Sequence, residues 1–375
     1  MTLNLNLLTI KAGLSALILL SWPEGKIPNE KKVTKAEKRD PLLQPFSQRS
    51  IWNMPIGKTA KYVHAHIEPA KAYGMTVDED IIVLTPKEPL IPVFKNYAGW
   101  DIKKDRCTKE GGIIFSAPIP RSFVVNKDTW DGLTPNSGIA VLMPDGRTIR
   151  QSQPFAKCSP GEGTTQYDFG DTDLYGDGYY GAHGGSQLSA IGGTLRTHEL
   201  LPTSGPIRHV LKVNIFGRKN LYYDETTRGF RWPAKAADGY AAKEYYKDRT
   251  MEKVSACRMG SLLALPASLS ISSLGLETEP ARILARALQD YGAYVVDDTA
   301  WDVYAFITEW SPKKRFQDEF KKNWGFSFNE KSLNTPWTRD MRRIFTNLHV
   351  VDNNGPLNIG GGGTPRVPLA APIVP

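Results

Sequence analysis

The stretch GPIRHVLKVNIF (Gly205–Phe216) decides the fold class. Ile207, His209, Leu211, Val213 and Ile215 alternate with Arg208, Val210, Lys212 and Asn214, and a period of two is the signature of a β-strand with one face more apolar than the other. On this reading His209 shares the apolar face, while Arg208 and Lys212 point away from it. A histidine so placed is either held in the core by a backbone carbonyl or turned toward a groove, where a desolvated imidazole can act as a base.

Outward from this strand, short apolar runs recur between turns rich in Gly, Pro, Asn and Asp. They include Ile81–Thr85, Gly112–Ser116, Ser122–Asn126, Ile139–Met143, Thr148–Gln153 and Ser261–Leu265. Such spacing predicts a mostly β fold, an antiparallel β-sandwich or jelly roll. Past residue 275 the period changes. Thr278 and Pro280 start a helix with Ile283, Leu284, Ala287, Leu288 and Tyr291 on one face, and Gly292 stops it. AYVVDD and VYAFITE then read as strands, followed by helices over 313–324 and 336–348. These elements form a helical C-terminal addition to the β body.

The ends have another character. Residues 1–21 carry Lys11 before a nine-residue apolar run, Ala12–Leu20, too short for a stable membrane span and suited to the core of a signal peptide. Residues 22–45 form a charged linker, 46–352 the folded domain, and 353–375 a Gly/Pro tail expected to be flexible. The implied location is secreted or periplasmic. Of the three cysteines, Cys107, Cys158 and Cys257, two can pair and one remain a thiol, or all can stay reduced; spacing does not choose.

The net charge of +8 is concentrated in Lys26–Arg39, Lys313–Lys322 and Arg339–Arg343, which together carry +9, so the remainder carries −1. Charge on a linker and two helices is not the continuous basic stripe of a nucleic-acid surface. The chain also lacks a phosphate-binding GKS/T loop, an HExxH metal motif and a GxSxG nucleophile turn.

Three phrases carry a resemblance: PFSQRSIWNMPIG (Pro45–Gly57), IRHVLKVN (Ile207–Asn214) and LARALQDYGAYVVDD (Leu284–Asp298). The span from Pro45 to Trp310 resembles exported bacterial proteins that open with Pro-Phe-Ser…Trp-Asn-x-Pro-Ile and close with Ala-Leu-x-x-Tyr-Gly…Asp. The resemblance implies export, one domain and a polysaccharide-related setting.

Candidate chemistry gathers around GYYGAHGGSQLSAIGGTLRTHELL (Gly178–Leu201). His183 lies among glycines, which allow close backbone approach, and follows Tyr179 and Tyr180. His183, His209 and Tyr180 are the expected catalytic groups, with the two histidines bordering one groove. RTIRQSQPF (Arg147–Phe155) is polar on both faces, as an edge strand in water or a cleft wall would be. Gln151, Gln153, Arg258, Trp52 and Asp298 are the expected substrate-binding residues. Trp100, Trp130, Trp232 and Trp301 also lie near loops, where a ring can stack on a sugar. Elimination beside a uronate carboxylate needs an imidazole or phenol base and amide or Arg groups; hydrolysis needs two carboxylates, for which Glu199, Asp297 and Asp298 are available. The sequence favours a polysaccharide lyase over a glycoside hydrolase. The alternative is a non-catalytic carbohydrate-binding or cell-surface protein. No cofactor is expected beyond a structural Ca²⁺ at Asp171, Asp173 and Asp177, and there Ala182 stands where a calcium loop needs Glu.

Overall fold

In the computed structural model, which describes residues 39–125 and 134–373, the segment around Lys212 is a central strand with both faces covered. Thirteen strands occur among these residues: β1 (Tyr62–His64), β2 (Thr76–Val83), β3 (Ile91–Lys95), β4 (Ile113–Ala117), β5 (Ser137–Leu142), β6 (Thr148–Ala156), β7 (Gly163–Asp173), β8 (Tyr180–His183), β9 (Leu211–Ile215), β10 (Leu262–Ala264), β11 (Ala293–Asp298), β12 (Tyr304–Trp310) and β13 (His349–Val351). All but β8 join one sheet in the order β1-β13-β10-β11-β9-β12-β2-β5-β6-β7-β3-β4. Helices α1 (Gly217–Asn220) and α2 (Ala241–Glu244) are single turns, whereas α3 (Glu279–Asp290), α4 (Phe316–Trp324) and α5 (Pro336–Thr346) are the expected C-terminal helices.

The fold is β-rich, as the patterning implies, but the sheet is mixed. The pairs β11/β9, β12/β2, β2/β5 and β3/β7 run parallel. An antiparallel sandwich is therefore corrected to a mixed sheet. Alternation within a strand specifies which side chains share a face, and leaves the direction of a partner distant in sequence undetermined. His209 also precedes β9 rather than lying within it.

Period-two alternation divides the core. Tyr294, Val296, Ile307, Ile82, Ala140 and Ile149 face one side, packed with Trp52 and with Ala182, Leu188 and Ile191 of the glycine-rich stretch. The opposite face is filled at one end by Val213, Val295 and Phe306 against the helices, through Leu284, Leu288, Ile344 and Phe345. At the other end Ile81, Val83, Val93, Ile139 and Phe155 form a separate cluster. Asp340 of α5 accepts hydrogen bonds from the backbone of Glu277 and Thr278, so one helix caps the start of its neighbour. A disulfide joins Cys107 and Cys158, and Cys257 is a buried thiol.

The C-terminal segment is not a free end. Gly57 N donates to Gly360 O at 2.9 Å, Lys58 N to Thr364 O at 2.9 Å, and Arg366 N to Ile56 O at 3.0 Å. Gly360, Gly361, Gly362 and Gly363 all have positive φ, from 68° to 84°, a conformation that glycine adopts without a Cβ clash. The GGGG run thus encodes a docked loop rather than flexibility. A Cβ on Gly57 would fall 1.8 Å from Gly362 O. Gly57→Ala is expected to cost about 1–3 kcal/mol through overpacking, read as a lower urea midpoint with an unchanged slope. The expected leader, residues 1–21, and most of the linker lie outside the described residues, as does Trp130.

Candidate functional site

At the C-terminal end of β11, the pairing with β9 shifts register between Val295 and Asp297. Such a bulge re-aims side chains at a strand end. Here Asp297 and Asp298 converge with Asp238, from the loop before α2, and oxygens of all three carboxylates lie within 4.8 Å of one another. Glycines make the room. A Cβ on Gly184 would meet Asp297 Oδ2 at 2.5 Å, one on Gly185 would meet Asp238 Oδ1 at 2.9 Å, and one on Gly217 would meet Asp298 Oδ2 at 2.9 Å. Each carboxylate therefore rests against a glycine Cα.

Each also has a defined donor. Tyr245 Oη donates to Asp238 Oδ2 at 2.5 Å, Tyr240 Oη to Asp298 Oδ1 at 2.9 Å, and the Asp298 amide to Asp297 Oδ1 at 3.0 Å. Burial pushes the Asp297 carboxyl well above the usual carboxylate range, and the Asp238 and Asp298 charges push it further. Burial and Asp238 raise Asp298 to about 8. Burial also raises Asp238, against the hydrogen bond from Tyr245. Three anions this close cannot all stay ionised without a counter-charge or a proton.

His183 stands directly behind the trio. It is 2% exposed, with Nδ1 3.9 Å from Asp297 Oδ2 and Nε2 3.7 Å from Asp80 Oδ1. Its Nδ1 has no hydrogen-bond partner. Burial, with Lys212 nearby, lowers its pKa well below the ordinary imidazole value, so the ring is neutral. Deeper still, Lys212 Nζ donates to Asp80 Oδ2 at 2.5 Å and to Ser189 O at 2.8 Å, and Thr194 Oγ1 donates to Asp80 Oδ2 at 2.7 Å. Burial raises Asp80 to about 6 against the opposing pull of Lys212. Asn214 Nδ2 binds Asp78 Oδ2 at 3.1 Å. A buried polar chain thus runs from the trio through His183 to Asp80 and Lys212.

The other expected residues are dispersed. His209 lines a cavity of about 410 Å³ with Arg39, Gln44, His198, Glu199 and Arg208, and His183 is not part of its lining. Both His209 nitrogens are engaged, Nδ1 with Val210 O at 2.9 Å and Nε2 with Glu199 Oε1 at 2.9 Å. The expected shared groove of the two histidines is therefore corrected. Gln151 is a buried brace: its amide donates to Thr172 Oγ1 and Tyr180 O, and its oxygen accepts from Ala190 N. Gln153 is buried beside it in β6, a strand paired on both edges rather than a cleft wall. Tyr180 is half-buried, with Lys235 Nζ 4.3 Å from its ring centre. Arg258 pairs with Asp224 and lies over Tyr222. Trp52 is a core residue, edge-on to Tyr294, with Nε1 donating to Gly178 O. Of the expected binding residues, Asp298 alone belongs to the trio. Asp171 and Asp173 of the calcium-like turn are paired with Arg150 and Arg147.

Burial opposes the charge on both His209 and Glu199, yet their contact holds His209 above its ordinary pKa and Glu199 below its own. A raised histidine stabilises fully below its unfolded value, and a depressed glutamate fully above its own. The pair is at full strength between about pH 4.5 and 6.5 and weakens on either side. The melting-temperature gap between wild type and Glu199→Gln is expected to be widest in that window.

Asp238 and Tyr240 are the residues that sequence reasoning missed, since nothing local links residue 238 to residue 297. Asp78 and Asp80 did leave a signal: two acids on one face of a strand that is otherwise apolar toward its end, VDEDIIV. Among the described residues, no helix is long and apolar enough to cross a membrane. Compared with protein-family models, curated proteins and solved structures, the chain shows no match.

Proposed function

We propose that the chain is an exported enzyme that cleaves glycosidic bonds of a polysaccharide by hydrolysis at Asp238, Asp297 and Asp298. The carrying observation is the approach of three carboxylates to within 4.8 Å of one another, each packed against a glycine. Hydrolysis requires one carboxyl to protonate the leaving oxygen and another carboxylate to attack or to activate water. Crowding supplies that division, because a proton retained on one member relieves repulsion within the trio. Asp298, partly open and oriented by Tyr240, is assigned the acid role, and Asp238 the nucleophile or base. So close a spacing matches retaining enzymes, whose carboxyls stand about 5–5.5 Å apart, better than inverting ones, which need room for a water.

Elimination has less support than the sequence alone lends it. Its base must reach substrate, but His209 has both nitrogens engaged and His183 is sealed behind Asp297. The Cys107–Cys158 disulfide supports export to an oxidising compartment.

Incubating the full chain with a panel of neutral and uronic polysaccharides tests the proposal. New reducing ends without the ultraviolet absorbance of an unsaturated uronate are the expected result. Growth of that absorbance would establish elimination instead, and binding without cleavage would establish a carbohydrate-binding protein.

A further inference from the structure

The geometry points to a divalent-cation site of the Mn²⁺ or Zn²⁺ class, formed by Asp238, Asp297, Asp298 and His183 Nδ1. The cluster of acids is one observation. The second is independent: His183 is almost wholly buried, its Nδ1 has no partner, and that atom faces Asp297 Oδ2 at 3.9 Å. A buried imidazole nitrogen with no partner, set against one of three clustered carboxylates, is a ligand arrangement. Ligands about 2.1 Å from a shared ion stand roughly 3–4 Å apart, so the three carboxylates, within 4.8 Å of one another, need a small inward movement, and His183, 3.9 Å from Asp297 Oδ2, must turn further toward the other two to close the shell. The nitrogen argues against Ca²⁺ and Mg²⁺, which take oxygen, and for metals that accept imidazole together with carboxylate.

The surroundings complete the pattern. Metal-binding imidazoles present their second nitrogen to a carboxylate, and here Nε2 faces Asp80 Oδ1. Tyr245, Tyr240 and the Asp298 amide each hold one oxygen of a carboxylate, and Asp238 and Asp297 are turned toward one another. Gly184, Gly185 and Gly217 keep Cβ atoms out of the space the carboxylates occupy.

The test is titration of the metal-free full chain with Mn²⁺, in the absence of any polysaccharide, followed by calorimetry and electron paramagnetic resonance. One ion per chain is expected, with spin-echo modulation from a directly bound imidazole nitrogen. Asp297→Asn is expected to weaken binding by at least ~10-fold, and His183→Gln to abolish the nitrogen modulation. Circular dichroism spectra matching wild type would show that both variants fold. If His183→Gln does not fold, Asp298→Asn at the open side of the trio provides the affinity test, and the nitrogen signal is read in wild type alone. No binding, binding unchanged in the carboxylate variants, or an ion with no coordinated nitrogen would overturn the site. Because no substrate is present, failure here leaves the hydrolytic reading standing, and absence of cleavage leaves the cation site standing.

Discussion

Asp298→Asn is expected to lower turnover of polysaccharide cleavage by about 10²–10⁴-fold, the range for loss of a positioned general acid. The amide is nearly isosteric and can still accept from Tyr240, so the cluster should keep its shape while losing its transferable proton. The loss should fall mainly on kcat, because proton donation matters in the transition state more than in the bound ground state. Asp78→Asn is the control. Asp78 belongs to β2, is bonded to Asn214 and reaches the trio only through its charge on Asp297, so its replacement should cost turnover far less than Asp298→Asn does. Equal losses in both variants would mean that the whole polar chain acts as structure, and that Asp298 has no special place in the chemistry.

Helices α3 and α5 were legible because amphipathic spacing, Thr-Pro starts and a glycine stop are local signals. The strands were legible for the same reason. Their partners were not, since β9 meets β11 some eighty residues later and β2 meets β12 across most of the chain. The glycine-rich stretch reads in sequence as the border of a groove shared by His183 and His209, but the two histidines lie apart, and Gly184 and Gly185 instead make space for Asp297 and Asp238. Trp52 looked available to a sugar because a loop position does not reveal burial. Gln151 and Gln153 looked like a cleft wall because polarity on both faces also describes a central strand whose side chains brace neighbouring loops. The docked tail was missed because a run of glycines reads as freedom unless the four positive φ angles it satisfies are known.

Lys212→Met is expected to have the largest effect on stability, about 3–5 kcal/mol, the usual cost of removing one member of a buried ion pair. Lys212 is fully buried, and its ammonium is the cation bonded to Asp80. Methionine fills similar space, so packing loss is small; the cost arises from Asp80, left without its counter-charge, and from Ser189 O, left without its donor. Adding Asp80→Asn should recover much of the loss, since a neutral amide needs no cation and can still accept from Thr194. A strongly positive coupling in the double-mutant cycle, measured by urea unfolding, would identify the pair as one electrostatic unit. Additive losses would mean that Lys212 and Asp80 stabilise the sheet independently, and that the chain from the trio to the core is not continuous.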